Sequence, residues 1–158
     1  MKKYTLPALL TAVLTISAAG PGFAVDGWQA NLLVDSGKAT SKLTFGQHPA
    51  ATDGNDGFYD VPALFSGQLR ASFTNGGETL WRDIKAANPD GIKKWRVSIA
   101  SESAEEIALS WDRDRLPPNS EIVLIDLDSR EFIDMKTTSG YVLGNRNGGE
   151  LIITVSDI

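Results

Sequence analysis

The stretch Trp95-Arg96-Val97-Ser98-Ile99, followed after a polar interval by Ile107-Ala108-Leu109-Ser110-Trp111, decides the fold class. Apolar residues recur at every second position in both, which is the period of a half-buried β-strand and not of a helix. The phase puts both tryptophans on a core face. Working outward, Trp28, Ala30, Leu32 and Val34 share one face of a first strand, Leu43 and Phe45 one face of a second, and Leu69, Ala71 and Phe73 one face of a third. Thr79 to Ala86 is ambiguous, with Leu80 and Ile84 opposite Trp81 and Lys85. Glu121 to Leu127 is apolar on both faces and predicts a strand buried in the middle of a sandwich. Phe132 to Thr137, Tyr141 to Leu143 and Leu151 to Val155 close the series. Asn75-Gly76-Gly77, Pro117-Pro118-Asn119, Asp128-Ser129-Arg130 and Asn147-Gly148-Gly149 supply turn chemistry between strands. About nine or ten short strands at this spacing predict an all-β, two-sheet antiparallel β-sandwich.

Ahead of the strands, Lys2 and Lys3, the apolar run Leu6 to Ala18 and the small residues around Gly22-Phe23-Ala24 predict a cleavable signal peptide over residues 1–24. Residues 25–158 are then one domain. With no second apolar span, the expectation is an exported protein without a membrane span, secreted, at the cell surface or in a periplasm. Loss of Lys2 and Lys3 with no acid makes the formal charge of −5 more negative by two, which argues against nucleic acid or an anionic membrane as partner. There is no cysteine, so disulfides, a lipid-anchored cysteine and zinc–thiolate sites are excluded. One histidine leaves an oxygen-bound ion such as calcium as the metal to consider.

Gly46 to Ser66 breaks the rhythm. Roughly twenty residues without a period are unusual inside a compact domain and tend to carry function. Leading into and through this segment, Leu43-Thr44-Phe45-Gly46, Ala51-Thr52-Asp53-Gly54-Asn55-Asp56-Gly57 and Tyr59-Asp60-Val61-Pro62 follow one another. Downstream come Leu109-Ser110-Trp111-Asp112, Leu116-Pro117, Val123 to Asp126, Asp134-Met135 and the late Tyr141. In order and spacing these resemble a module of secreted bacterial multidomain proteins with F-G, A-T-D-G-x-D and D-x-P motifs. The resemblance implies an Ig-like β-sandwich and a non-catalytic role in large surface proteins.

Asp53, Asn55, Asp56 and Asp60 put three carboxylates and an amide within eight residues, a density that suits calcium although the spacing is not that of an EF-hand. The plainer alternative is that they form Asx-turns and cap loop amides. His48 stands in the same segment, but no G-x-S-x-G elbow accompanies it, and a loop histidine bonded to backbone is the simpler reading. Asp112 with Asp114, and Glu105 with Glu106, read as a solvated rim in preference to glycosidase carboxylates. Trp81 with Tyr59 and Phe58 is the one aromatic set that could stack on a sugar. The expected function is therefore a non-enzymatic binding, adhesion or surface-assembly module with a protein or glycan partner at the cell exterior. Strand Leu151 to Val155 is the expected donor for self-association by strand pairing. The alternative is a calcium-stabilised carbohydrate-binding module.

Overall fold

A computed structural model describes residues 27–88, 91–103 and 106–157, so the expected signal peptide over 1–24 and Glu105 lie outside the described residues. Eleven strands follow in chain order: β1 (Trp28–Asp35), β2 (Thr40–His48), β3 (Val61–Pro62), β4 (Leu69–Asn75), β5 (Glu78–Ala86), β6 (Lys93–Ser101), β7 (Ile107–Trp111), β8 (Ser120–Asp126), β9 (Glu131–Asp134), β10 (Gly140–Gly144) and β11 (Gly148–Asp157). The all-β expectation holds, and the predicted core phases hold with it. Ala30, Leu32 and Val34 of β1, Leu43 and Phe45 of β2, Ala71 and Phe73 of β4, Trp95, Val97 and Ile99 of β6, and Ile107, Leu109 and Trp111 of β7 are all buried in one cluster.

The Ig-like two-sheet sandwich does not form. The strands make a single sheet in the order β10-β7-β1-β2-β5-β4-β6-β11-β8-β9, with β3 added to β5, and this path curls into a nearly closed barrel. The cause lies in β5. Its first residues pair antiparallel with β4 (Phe73 opposite Leu80), while Arg82 to Ala86 pair in parallel with Thr44 to His48 of β2. One strand thus carries the ladder from one wall to the other, where a sandwich would leave two edges. The β4–β5 hairpin turns through Gly76 and Gly77, both at positive φ, as a tight two-residue connection requires. Gly46 has a different reason: a methyl there would collide with the carbonyl oxygen of Trp28 on the neighbouring strand.

The barrel's seam lies between β10 and β9, the two ends of the path, and side chains close it. The Tyr141 hydroxyl of β10 reaches Asp126 Oδ2 at 2.9 Å and Glu131 Oε2 at 2.6 Å. Arg146 donates to the same Asp126 oxygen and lies 3.4 Å from Asp128. Asp126 Oδ1 accepts from the amides of Asp128 and Ser129 in the β8–β9 turn. At the other end, the Trp111 indole donates to the carbonyls of Met135 and Thr138, and Met135 is fully buried. Burial by itself would raise the Asp126 pKa. Arg146, Tyr141 and the two amides outweigh it and hold the carboxyl at about 2. The Tyr141 phenol is pushed up to about 12, by burial first and then by the carboxylates around it.

Two expectations about strands are corrected here. β8 is not buried on both faces: Ile122 and Leu124 face the core, but Val123 and Ile125 on the outer face are half-exposed. The terminal strand β11 is not an edge, because β6 and β8 pair along its two sides. Its backbone groups are used within the barrel, so it cannot be the donor for strand pairing.

Candidate functional site: a stapled loop over one end of the barrel

The segment after β2 rises from the sheet at His48 and returns at β3. Its backbone is tied down by carboxylates. Asp60, nearly fully buried, accepts from the Ile84 amide of β5 (2.8 Å) and from the Asp56 amide (2.5 Å). Asp56 accepts from the Thr52 amide and hydroxyl at 2.5 and 2.9 Å. Asp53 forms a two-oxygen ion pair with Lys93 of β6, at 2.6 and 2.7 Å, and accepts from the Ala86 amide at 3.2 Å. Arg82 of β5 clamps the far side by donating to the carbonyls of Tyr59 (2.6 Å) and Phe58 (3.1 Å). Such Asx-type bonds satisfy loop amides that would otherwise compete for water.

The four residues nominated as calcium ligands are therefore placed as follows. Asp53, Asp56 and Asp60 face three different sets of partners, and each already holds amide hydrogens or an ammonium; Asn55 is exposed. Among the described residues no group of three or more acidic or histidine side chains is arranged to hold a metal ion. In this arrangement the carboxylate oxygens make turn-capping hydrogen bonds and one ion pair.

Of the nominated aromatic set, two members meet and one stands apart. Phe58 is 82% exposed and touches Tyr59 edge to face, with ring centroids 5.1 Å apart at 82°. Tyr59 stacks on His48 at 4.8 Å. Trp81 is instead half-buried and packs against the core cluster, as does Trp28, whose indole also donates to Gln47. His48 Nδ1 accepts from the Ala50 amide, a local backbone bond. Asp112 likewise caps the 3-10 turn at Arg113–Arg115 by accepting from the Asp114 amide.

Sequence reasoning missed the rest of the loop's exposed apolar surface. Val61, Leu64 (72% exposed) and Phe65 stand out in solvent with Phe58, four large apolar side chains within eight residues. The signal was present: these residues follow neither period 2 nor period 3.6, so no element of the barrel calls them inward. It also missed the polar pair beneath the loop. Asp83 and Lys85 of β5 are both buried, with Asp83 Oδ2 3.2 Å from Lys85 Nζ but without an aligned hydrogen bond. Burial pushes the Asp83 carboxyl up, and Lys85 only partly offsets it. Lys85 Nζ also lies 5.8 Å from the Trp95 ring centroid, and the Trp95 indole donates to the Asp83 carbonyl.

No family model, no curated protein and no solved structure matches the chain. The resemblance to secreted Ig-like modules is thus overturned on two counts, by the single curled sheet and by the lack of any match to such a family.

Proposed function

We propose that the protein is an exported, non-enzymatic binding module whose recognition element is the stapled loop, and that its partner is a protein segment at the cell exterior. The observation that supports this reading is the pairing of exposure with rigidity. Phe58, Val61, Leu64 and Phe65 are exposed within eight residues; the backbone up to residue 60 is fixed by Asp60, Asp53–Lys93 and Arg82, and beyond β3 the Ala63 amide donates to the Thr79 carbonyl. Exposed apolar side chains scattered singly need no explanation, but four gathered within eight residues of chain call for one. A loop already ordered avoids much of the cost of immobilising side chains on binding, about 0.5–1.5 kcal/mol each. A protein partner is favoured over a glycan because Phe58 and Tyr59 stand nearly perpendicular and Leu64 and Val61 are aliphatic, so no flat aromatic platform is formed. The carbohydrate-binding alternative rested on Trp81 joining that set, and Trp81 packs toward the core.

The experiment is site-specific photo-crosslinking on whole cells, with the probe at position 58 or 64 and, as control, at the exposed Leu33 of β1. A discrete protein adduct from 58 and 64 only, competed by the wild-type protein and not by a Phe58→Ser/Leu64→Ser variant, is the expected result. Equal labelling from position 33, or competition by the variant, would overturn the proposal.

A further inference from the structure

We infer that the protein partner of the stapled loop carries an extended acidic segment, and that this segment lies across the outer face of β4 and β6, in a cationic groove that begins at Phe65. The inference rests on the loop reading above for the partner's being a protein, and adds where its chain continues and what chemistry it carries.

The first observation is a groove joined to the loop. Phe65, 43% exposed and the last of the loop's four apolar side chains, lines a groove of about 420 Å³ together with Arg70, Ser72 and Thr74 of β4, Thr79 of β5, and Ser98 and Ala100 of β6. Phe65 thus belongs to both surfaces and connects them.

The second observation is charge. Arg70, Ser72 and Thr74 alternate with buried Ala71 and Phe73, and Lys94, Arg96, Ser98 and Ala100 alternate with buried Trp95, Val97 and Ile99. The outer face of these two strands therefore carries three cations and three hydroxyls, and neither strand contributes an acid. In a chain of formal charge −5 that is a local reversal of sign. Two carboxylates border the face. Glu150 of β11 accepts from the Ser98 hydroxyl at 2.5 Å, and Glu102 meets Arg70 at 3.6 Å with both side chains largely in water, a pair of little strength. Among the described residues the side chains of Lys94 and Arg96 have no ion-pair partner. The face is complementary to carboxylates.

The third observation is spacing. Arg70 lies opposite Ala100 and Thr74 opposite Arg96, so along β6 the cations stand level with positions 100, 96 and 94. Those intervals, four residues and then two, are both even, and at ~3.3 Å per residue they span about 13 and 7 Å. In an extended peptide the side chains of one face recur at every second residue. Laid along β6, such a peptide with one acid, a second four residues on and a third two further presents a carboxylate to each cation. Thr74 and Thr79, opposite one another at the groove's side, offer hydroxyls to the backbone between them. Charge and interval together select an extended acidic peptide as the occupant.

The test is fluorescence anisotropy of a labelled heptapeptide, with glutamate at its first, fifth and seventh positions and serine elsewhere, titrated with the purified protein at low ionic strength. Expected are saturable binding that weakens as salt rises and no binding of the same peptide with lysine for glutamate. Arg70→Glu/Arg96→Glu should bind about tenfold more weakly, and Arg70→Lys/Arg96→Lys should retain binding. Thermal melting of both variants reports whether the barrel is intact, and the comparisons made on the wild-type protein do not depend on it. Equal binding of the glutamate and lysine peptides, unchanged affinity in the charge-reversed variant, or tighter binding of an oligouronate of the same charge would each overturn the inference. On whole cells, a photo-crosslinking probe at position 74 should capture the same protein as probes at 58 and 64. Adducts from 58 and 64 with none from 74 would overturn the groove and leave the loop reading standing, whereas an adduct from 74 alone would overturn the loop reading and keep the groove's acidic partner.

Discussion

Asp126 at the seam and Asp83 beneath the loop are both shut off from solvent in the same sheet, and their carboxyls are driven in opposite directions. Asp126 has a guanidinium, a phenol and two turn amides aimed at its oxygens. Asp83 has Asn75 at 3.3 Å and an ammonium nearby that is not aligned with its second oxygen. The lesson is that burial sets the cost of a charge, while the number and geometry of donors decide whether the charged form survives. The seam is thus an electrostatic fastening, and the loop end is a place where a charge pair is tolerated.

The largest effects should come from the indole at each region. Trp95→Ala at the loop end and Trp111→Ala at the seam should each cost about 3–5 kcal/mol, the range for deleting a buried aromatic, as read by denaturant unfolding. A near-neutral result for either would break the assignment of both tryptophans to the one core.

Next, Asp126→Ala should cost about 3–5 kcal/mol, because it leaves a guanidinium and turn amides without their acceptor. The double change Asp83→Asn with Lys85→Met should be neutral or stabilising, as replacement of a poorly aligned buried pair often is. Comparable losses in both variants would erase the contrast between the two aspartates.

A smaller effect, but with a sharper sign, lies in the pH dependence. The folded-state pKa of Asp126, about 2, is below its ordinary 3.8, so its stabilisation is present above about pH 4 and is lost as pH falls toward 2. The shift corresponds to about 2 kcal/mol. Asp83 is raised, so the fold prefers it protonated, and its ionisation costs stability at higher pH. Unfolding curves across the acid range should show the deficit of Asp126→Asn against wild type shrinking as pH falls. Any advantage of Asp83→Asn should shrink in the same direction. For Tyr141, raised to about 12 against an ordinary 10, stability should fall as pH rises from 10 to 12, and Tyr141→Phe should flatten that alkaline limb.

The smallest expected effect is that of calcium. Because Asp53, Asp56 and Asp60 already hold Lys93 and loop amides, melting midpoints with chelator and with millimolar calcium should coincide. A calcium-dependent rise would mean that Asp53 exchanges Lys93 for the ion, and would return the loop to the ion-pinned reading.

Much of the barrel wall was legible in the sequence. Alternation at Trp95–Ile99 and Ile107–Trp111 reports which side chains turn inward, because period 2 is a property of the strand alone. The candidate site was legible in part: the aperiodic segment marked where the chain leaves the barrel wall, and Phe58 and Tyr59 within it meet edge to face. Trp81 packs against the core cluster instead of joining them, and its neighbours Leu80 and Arg82 do not say in advance which face of β5 it takes.

What the sequence by itself determined is therefore the strand class, the inward phases, the turns and the lack of any disulfide. Only the tertiary structure decided that β5 joins β4 to β2 and so closes one sheet where two were expected, since an inward-facing residue looks the same in either wall. It also decided that the nearby carboxylates serve different partners, because Ile84 and Lys93 reach Asp60 and Asp53 from strands 24 and 40 residues away, which leaves Asp56 to the local Thr52. It decided as well that β8, apolar on both faces, lies between β11 and β9 near the end of the sheet, with Val123 and Ile125 half-exposed. Each of these outcomes depends on pairing between distant segments, and local periodicity carries no information about the partner.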